Sequence, residues 1–245
     1  MTTPKQPTRQ PLMFRVKICG VTSVDDARAA VEAGADAIGV NFYAKSPRCV
    51  DRQQATEIAA VKQSVKQAAK LVGVFVNASA DEINATIADV PLDAVQLHGD
   101  EPANIAAEIN GETNGELDRW APLILARPLD QQRGLSSVAE WLDAARGAGR
   151  PCSGVLVDAQ VRGQYGGTGK VVDWDRLVAE RSAIEPTPLL LAGGLNVANV
   201  GEAIRRVRPH GVDTASGVEQ SPGVKDHRLI QEFVAEARSA LQSSG

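Results

Sequence analysis

The stretch "FRVKICGVTSVDDARAAVEAGA", residues 14–35, joins two segments of different period across a glycine. "FRVKIC" (14–19) is short and rich in apolar residues, which predicts a strand. "SVDDARAAVEAGA" (23–35) opens on Ser23, a helix-capping residue, with Asp25 and Asp26 where the helix dipole favours acid. Ala27, Ala30 and Val31 then share one face, which predicts an amphipathic helix. A strand running straight into a helix is a unit that can be repeated.

It is repeated along the whole chain. "DAIGVNF" (36–42) precedes "DRQQATEIAAVKQSV" (51–65), and "LVGVFV" (71–76) precedes "SADEINATIADV" (79–90). "DAVQLH" (93–98) leads to "EPANIAAEIN" (101–110), where Pro102 suits a first helical turn. "PLILARP" (122–128) leads to "SSVAEWLDAARGAG" (136–149), and "GVLVDA" (154–159) leads through a glycine-rich loop to "DWDRLVAERSA" (173–183). "PLLLAGG" (188–194) precedes "NVANVGEAIRRV" (196–207), with Asn196 as the expected cap. "GVDTAS" (211–216) precedes "KDHRLIQEFVAEARSAL" (225–241) and completes eight pairs.

Several of these strands are almost continuous apolar runs, as parallel strands covered on both faces must be. An open doubly wound sheet uses the same units, but its G-x-G-x-x-G fingerprint is missing: "CGVTSVDDAR" offers only Gly20. Eight units in 245 residues match a closed (β/α)8 barrel, which typically takes about 250. The expected fold is therefore α/β, a single-domain (β/α)8 TIM barrel over residues 13–245. Residues 1–12, "MTTPKQPTRQPL", are polar and proline-rich with no apolar segment of a secretory signal, and predict a disordered tail. Residues 111–121 read as a loop insertion before the fifth strand.

Composition narrows the function. At 43% hydrophobic and 23% charged, with net charge −4, the chain has no global positive field for nucleic acid or an anionic membrane. An anionic small molecule would need a local site. No apolar run reaches the ~18 residues of a membrane span. Cys19, Cys49 and Cys152 are odd in number, widely spaced and without zinc-ligand spacing, which points to a reducing cytoplasm.

In such barrels chemistry sits at the C-terminal ends of the strands. The candidates there are Cys19, Arg48, His98, Arg127, Asp158, Gly193, Gly194, Ser216 and Gly217. Alternate strand residues share a face, so Lys17 points with Cys19, and Leu156 with Asp158. A thiolate and a carboxylic acid facing each other across the mouth can remove one proton and donate another. Taken alone, Cys19 reads more readily as a buried hydrophobe, and Asp158 as a loop cap or a partner of Arg162. Their joint placement shifts the balance toward chemistry and leaves both readings open.

The phosphate signal is more specific. "LLLAGGLN" (189–196) and "DTASGVEQSPGVKD" (213–226) put glycine turns after the seventh and eighth strands, where phosphate-binding barrels hold their anion. Glycines that merely permit tight turns are the alternative. "QYGGTGKVVDW" (164–174) lacks Walker A spacing around Lys170, so nucleotide binding is discounted; the loop either folds over a ligand or is a plain turn. Arg48, in "YAKSPRCVD" (43–51), suits a carboxylate or phosphate, although an isolated arginine is more often a solvated charge.

Together, "VKICGVT", "KSPRCV", "VGVFVN", "DAVQLHGDE", "VLVDA", "GGTGKVVDW", "LAGGLNVANV", "GVDTASGVE" and "PGVKDH" resemble the phosphoribosylanthranilate isomerase family of tryptophan biosynthesis, in order from residue 16 to 227. The resemblance implies a cofactor-free, metal-free barrel. It implies an Amadori rearrangement of N-(5-phosphoribosyl)anthranilate to 1-(2-carboxyphenylamino)-1-deoxyribulose 5-phosphate. It implies Cys19 as general base, Asp158 as general acid and Arg48 as the grip on the anthranilate carboxylate. Gly193, Gly194, Ser216 and Gly217 match the phosphate cradle, and Asp213 an aspartate near the sugar. Lys17, on the strand face of Cys19, is expected from its position to help ionise the thiol. The sequence departs from the family pattern at Asn41, Thr214 and Ala215, and matches weakly over 111–153.

Other classes fit less well. Indole-3-glycerol-phosphate synthase would need catalytic lysines and glutamates in motifs that are not found. A metal-dependent sugar-phosphate epimerase would need several His and Asp ligands, and of three histidines only His98 ends a strand. A silent phosphate-binding module could lose Cys19 or Asp158, and both are present. His98 either approaches the substrate or is structural, His210 and His227 read as loop and helix-start residues, and Cys49 and Cys152 as packing thiols.

Overall fold

The computed structural model describes residues 14–64, 69–109, 121–158 and 173–243. The expected tail, nearly all of the 111–121 insertion, Arg162 and the loop at 164–172 lie outside these residues. Eight parallel strands close on themselves: β1 (Val16–Cys19), β2 (Ala37–Asn41), β3 (Lys70–Phe75), β4 (Ala94–Leu97), β5 (Leu123–Pro128), β6 (Gly154–Asp158), β7 (Leu189–Leu191) and β8 (Gly211–Thr214), with β8 pairing back to β1. The helices between and after them are α1 (Val24–Glu32), α2 (Arg52–Ser64), α3 (Ala80–Asp89), α4 (Ile105–Glu108), α5 (Ser136–Gly147), α6 (Trp174–Glu180), α7 (Val200–Val207) and α8 (His227–Ser243).

Strand alternation divides the core in two. Val16, Ile18, Ile38, Leu71, Val95, Leu97, Leu123, Leu125, Val155, Val157, Leu189, Leu191 and Val212 pack outward against the helices. Phe14, Ala37, Val72, Ala94, Ile124, Ala126, Leu156, Leu190 and Ala192 fill the barrel interior. Four of those nine are alanines, and the space they spare accommodates Phe14 and the Lys17 side chain, whose Nζ lies 6.0 Å from the Phe14 ring centre. Both faces being buried explains why the strands read as continuous apolar runs rather than alternating ones.

Local signals hold where they are strong. The Ser23 side chain accepts from the Asp26 N–H, and Ala27, Ala30 and Val31 are buried. Ser79 and Glu82 form a reciprocal capping box at α3. Three expectations are corrected. Pro102 stands outside α4, which is only Ile105–Glu108: its carbonyl accepts from Ile105 in a preceding turn. Asn196 does not cap α7; its Oδ1 accepts from Ala198 N and closes a turn, so the helix begins only at Val200. β7 ends at Leu191 rather than running to 194, because Gly193 and Gly194 adopt φ of 82° and 65° and leave the ladder.

One element was not anticipated. After Thr214 a short 3₁₀ turn (Ser216–Val218) leads into a hairpin of β9 (Glu219–Ser221) and β10 (Val224–Lys225). Lys225 was assigned to the last helix, yet that helix starts at His227 behind an Asp226 cap on Arg228 and Leu229. No helix among the described residues is long and apolar enough to cross a membrane.

Replacing Ser79 by alanine removes the side-chain half of the capping box, the acceptor for Glu82 N, and leaves the Ser79 N–H bond to Glu82 in place. It is expected to lower the unfolding free energy by about 1 kcal/mol, read as an earlier urea midpoint at unchanged slope.

Candidate active site

The site is assembled from inward-pointing residues at the C-terminal ends of the strands. Register puts Lys17 of β1 beside Asp213 of β8, and their side chains meet at 2.9 Å with Lys17 fully buried. Gly39 on the neighbouring β2 is what makes room: a Cβ there would stand 2.9 Å from Cys19 Sγ and 3.0 Å from Lys17 Cε. Lys17 and Cys19 therefore share the face that alternation assigned them. Burial opposes the charge on Lys17, but Asp213 and the Cys19 sulfur outweigh it and hold its pKa above the ordinary lysine value.

The effect on Cys19 is the reverse of what was expected. Lys17 does pull the thiol pKa down, as does Lys225, but burial, reinforced by the negative charge of Asp213, wins and holds it above the ordinary value. Burial and Asp213 thus favour the protonated thiol, while Lys17 and Lys225 favour the thiolate.

Arg48 arrives from the β2–α2 loop, and its placement depends on Asn41. Asn41 Oδ1 accepts from Tyr43 N at 2.8 Å and its Nδ2 donates to Ser46 Oγ at 3.3 Å; the same Ser46 Oγ accepts from Arg48 N at 3.1 Å. The departure at Asn41 thus shapes the loop that carries the arginine. The Arg48 guanidinium is held side-on by Glu219 of the hairpin, through Nε at 2.8 Å and Nη2 at 2.6 Å. Glu219 is held in turn by Lys225 at 2.8 Å, and Lys225 also donates to the carbonyls of Cys19 at 2.6 Å and Ala215 at 3.0 Å. The hairpin therefore anchors both Arg48 and the backbone of Cys19. Ala215 takes part through its carbonyl, so its small side chain leaves this contact intact.

Asp158 ends β6, inward like Leu156. Its Oδ2 lies 3.5 Å from His98 Nε2, just beyond the end of β4. Arg127, by contrast, is removed from the candidates. It follows inward Ala126 on β5 and so faces outward, where it binds the Glu101 carbonyl at 2.9 Å and lies 5.9 Å from the Trp141 ring. Burial lowers its pKa, partly offset by Glu101.

The two glycine turns interlock. A Cβ on Gly217 would collide with the Leu195 carbonyl oxygen, so this glycine is required by the contact between the two loops. Thr214 Oγ1 donates to the same carbonyl at 2.7 Å, giving the Thr214 departure a defined part. Asn199 Nδ2 donates to the Gly194 carbonyl at 3.0 Å. The N–H groups of Gly193 and Gly194, and those of Ser216 and Gly217 at the start of the 3₁₀ turn, donate to no described residue. Four backbone donors in two adjoining loops make a site for an anion with several oxygens.

Cys49 is half-buried, and burial pushes the Cys152 thiol up to about 12. His210 accepts from Leu189 N through Nδ1, at the N-terminal end of β7, and His227 lies 2.8 Å from Asp26 in the first turn of α1. Sequence reasoning gave no role to Gln96, Glu219 or Lys225. The inward parity of Gln96 with Ala94 was available as a signal; the reach of the hairpin was not.

A family model described as N-(5'-phosphoribosyl)anthranilate (PRA) isomerase matches residues 16–236. An N-(5'-phosphoribosyl)anthranilate isomerase of Pseudomonas fluorescens (strain Pf0-1) is 46% identical over 91% of this chain and 98% of its own. Its counterpart from Pseudomonas putida (strain W619) is 43% identical over 92% and 98%. Among solved structures, the phosphoribosyl anthranilate isomerase of Thermotoga maritima superposes with a TM-score of 0.77 at 36% identity, covering 93% of this chain and all (100%) of that one. A phosphoribosyl anthranilate isomerase in complex with reduced 1-(o-carboxyphenylamino)-1-deoxyribulose 5-phosphate gives 0.74 at 34%, covering 93% and 100%.

The groups acting on Cys19 come from four elements: Lys17 of β1, Asp213 of β8, Lys225 of β10 and Arg48 of the β2–α2 loop. Asp213→Asn removes the negative charge among them and keeps an acceptor for Lys17. The Cys19 pKa should fall, so alkylation by iodoacetamide, followed by mass spectrometry in a Cys49→Ser background, should set in at lower pH. An unchanged or higher midpoint would remove Asp213 from the control of this thiol.

Proposed function

Since this chain belongs to the N-(5'-phosphoribosyl)anthranilate isomerase family and is an isomerase of tryptophan biosynthesis, we propose that it converts N-(5-phosphoribosyl)anthranilate to 1-(2-carboxyphenylamino)-1-deoxyribulose 5-phosphate with Cys19 as general base and Asp158 as general acid. The observation that carries this reading is the shared inward parity of the two residues at the ends of β1 and β6. The anion site of the β7 and β8 loops supports the phosphate end, and Arg48 the carboxylate end. The three free cysteines support a reducing, cytoplasmic setting.

In the first step Asp158 gives its proton to the ribose ring oxygen while the C1′–O bond breaks, and the anthranilate nitrogen supplies the electron pair for an iminium. Cys19, as thiolate, then takes the proton from C2′, and the C–H electrons neutralise the iminium to an enolamine. Tautomerisation gives the ketone. Two features of this chain serve those steps. The buried ammonium of Lys17 lies against the thiol and favours its ionised form. The Lys225 bond to the Cys19 carbonyl fixes the strand end from which the sulfur projects. The phosphate, held by backbone donors, secures the acyclic intermediate between the steps.

Arg48 would meet the anthranilate carboxylate with its Nη1–Nη2 edge, because Glu219 occupies the Nε–Nη2 edge. Asp213 would act near the sugar only through Lys17, its ion-pair partner.

Purified protein and freshly generated phosphoribosylanthranilate, with chelator present, should show enzyme-dependent loss of substrate fluorescence; no loss would reject the assignment. Cys19→Ala and Asp158→Asn should each lower kcat by at least ~10²-fold with much smaller changes in KM. A folded variant with near-normal kcat would remove that residue from the mechanism. Replacing Gly217 by alanine forces the β7 and β8 loops apart and should mainly raise KM and weaken competition by inorganic phosphate. Unchanged values would move the anion site elsewhere. Arg48→Ala should cost about 2–4 kcal/mol in kcat/KM, the range for truncating one side of a desolvated ion pair. The loss should be small towards an analogue lacking the carboxylate; equal losses on both would show that Arg48 does not read that group.

A further inference from the structure

A line of side chains crosses the barrel mouth and joins the surroundings of Cys19 to Asp158. Lys17 Nζ donates to Asp213 Oδ1 at 2.9 Å and to Gln96 Oε1 at 3.0 Å. Gln96 Nε2 stands 3.0 Å from His98 Nδ1. His98 Nε2 stands 3.5 Å from Asp158 Oδ2, is buried, and has no hydrogen-bond partner among the described residues. The members come from β8, β1, β4 with its following residue, and β6.

The polarity of each link follows from the one before it. An ammonium has donors and no acceptor, so Gln96 must turn its oxygen to Lys17. Its amide NH₂ is then committed to His98, and an NH₂ also only donates. Nδ1 of His98 must accept with its lone pair. A neutral imidazole with a bare Nδ1 carries its proton on Nε2, the atom that faces Asp158.

We propose that Gln96 is a positioning residue that, oriented by Lys17, holds His98 in the Nε2–H tautomer, so that His98 donates towards Asp158 and the proton of Asp158 is reserved for the substrate. The inference rests on the reading of Asp158 as the acid. An Nε2–H can donate to one carboxyl oxygen and orient the group, but it has no lone pair with which to capture the acid's proton. In the opposite tautomer the bare Nε2 would accept the Asp158 O–H and turn it away from the ribose ring oxygen. His98 thereby directs the proton without receiving it.

The full-length protein with ¹⁵N-labelled histidine tests this directly, since there are only three histidines. His210→Gln and His227→Gln, neither a member of this line of side chains, assign His98 by elimination. Long-range ¹H–¹⁵N correlation of the wild type should show His98 protonated at Nε2 and bare at Nδ1. An Nδ1–H or doubly protonated ring overturns the proposal. Gln96→Glu, of equal length, presents an acceptor to His98. It should place a proton on Nδ1 and lower kcat about tenfold or more, with KM within about twofold. Gln96→Met supplies no donor and should show both tautomers in exchange with an intermediate kcat, which keeps the functional arm open if the glutamate variant does not fold. A ring that keeps Nε2–H in both variants, or a switched ring with undiminished kcat, overturns the proposal. If Asp158→Asn still turns over while wild-type His98 shows Nε2–H, the acid assignment fails and the orientation of His98 by Gln96 stands.

Discussion

The ion pair of Lys17 and Asp213 is the constraint around which the site is arranged. An ammonium inside a barrel is costly to desolvate, and breaking such a pair by removing one partner typically costs about 3–5 kcal/mol. The pair exists because β1 closes on β8 in a register that sets the two residues side by side. Closure of the barrel and neutralisation of the charge are thus one event. With its place fixed, the ammonium has three neighbours: the carboxylate of Asp213, the thiol of Cys19 and the amide oxygen of Gln96.

A second organising contact adjoins this pair, in the loops that follow β7 and β8. The loops after β7 and β8 are clasped through the Leu195 carbonyl, which receives Thr214 and excludes any side chain on Gly217. The backbone donors of both loops are held at a fixed spacing by this clasp rather than by the glycines alone. The mouth thus carries backbone donors in these two loops and, in the β2–α2 loop, a guanidinium half-engaged by Glu219.

Much of this was legible in the sequence, for reasons that differ by residue. The eight strand–helix units could be read because both faces of every strand are buried and the helix caps at Ser23 and Ser79 are local. The positions of Cys19 and Asp158 at the ends of their strands could be read because alternation and strand length are local; what they do there could not be read from position alone. Parity also ruled out Arg127, since Ala126 before it points inward, but that required knowing which set faces the interior. Glu219 and Lys225 were illegible as site residues: what gives them a role is a two-stranded hairpin folding back over the first strand, a contact between positions 206 apart for Lys225 and Cys19. The sign of the shift on Cys19 was misread because proximity of Lys17 is visible in the sequence, whereas the depth of burial that outweighs it is not.

The lysine that grips the Cys19 carbonyl has a bearing on the order in which the protein comes into being. Translation delivers Lys17 and Cys19 long before Asp213 and Lys225, and Arg15 finds its acceptor at Leu241 later still. Until the segment carrying Asp213 leaves the ribosome, the first strand carries a cation without that counterion and has no eighth strand to lie against. Contacts so distant along the chain favour late, cooperative assembly over stepwise growth. A nascent chain therefore cannot present the finished surroundings of Cys19, and a product truncated before β8 would lack the closing strand as well as the counterion of Lys17.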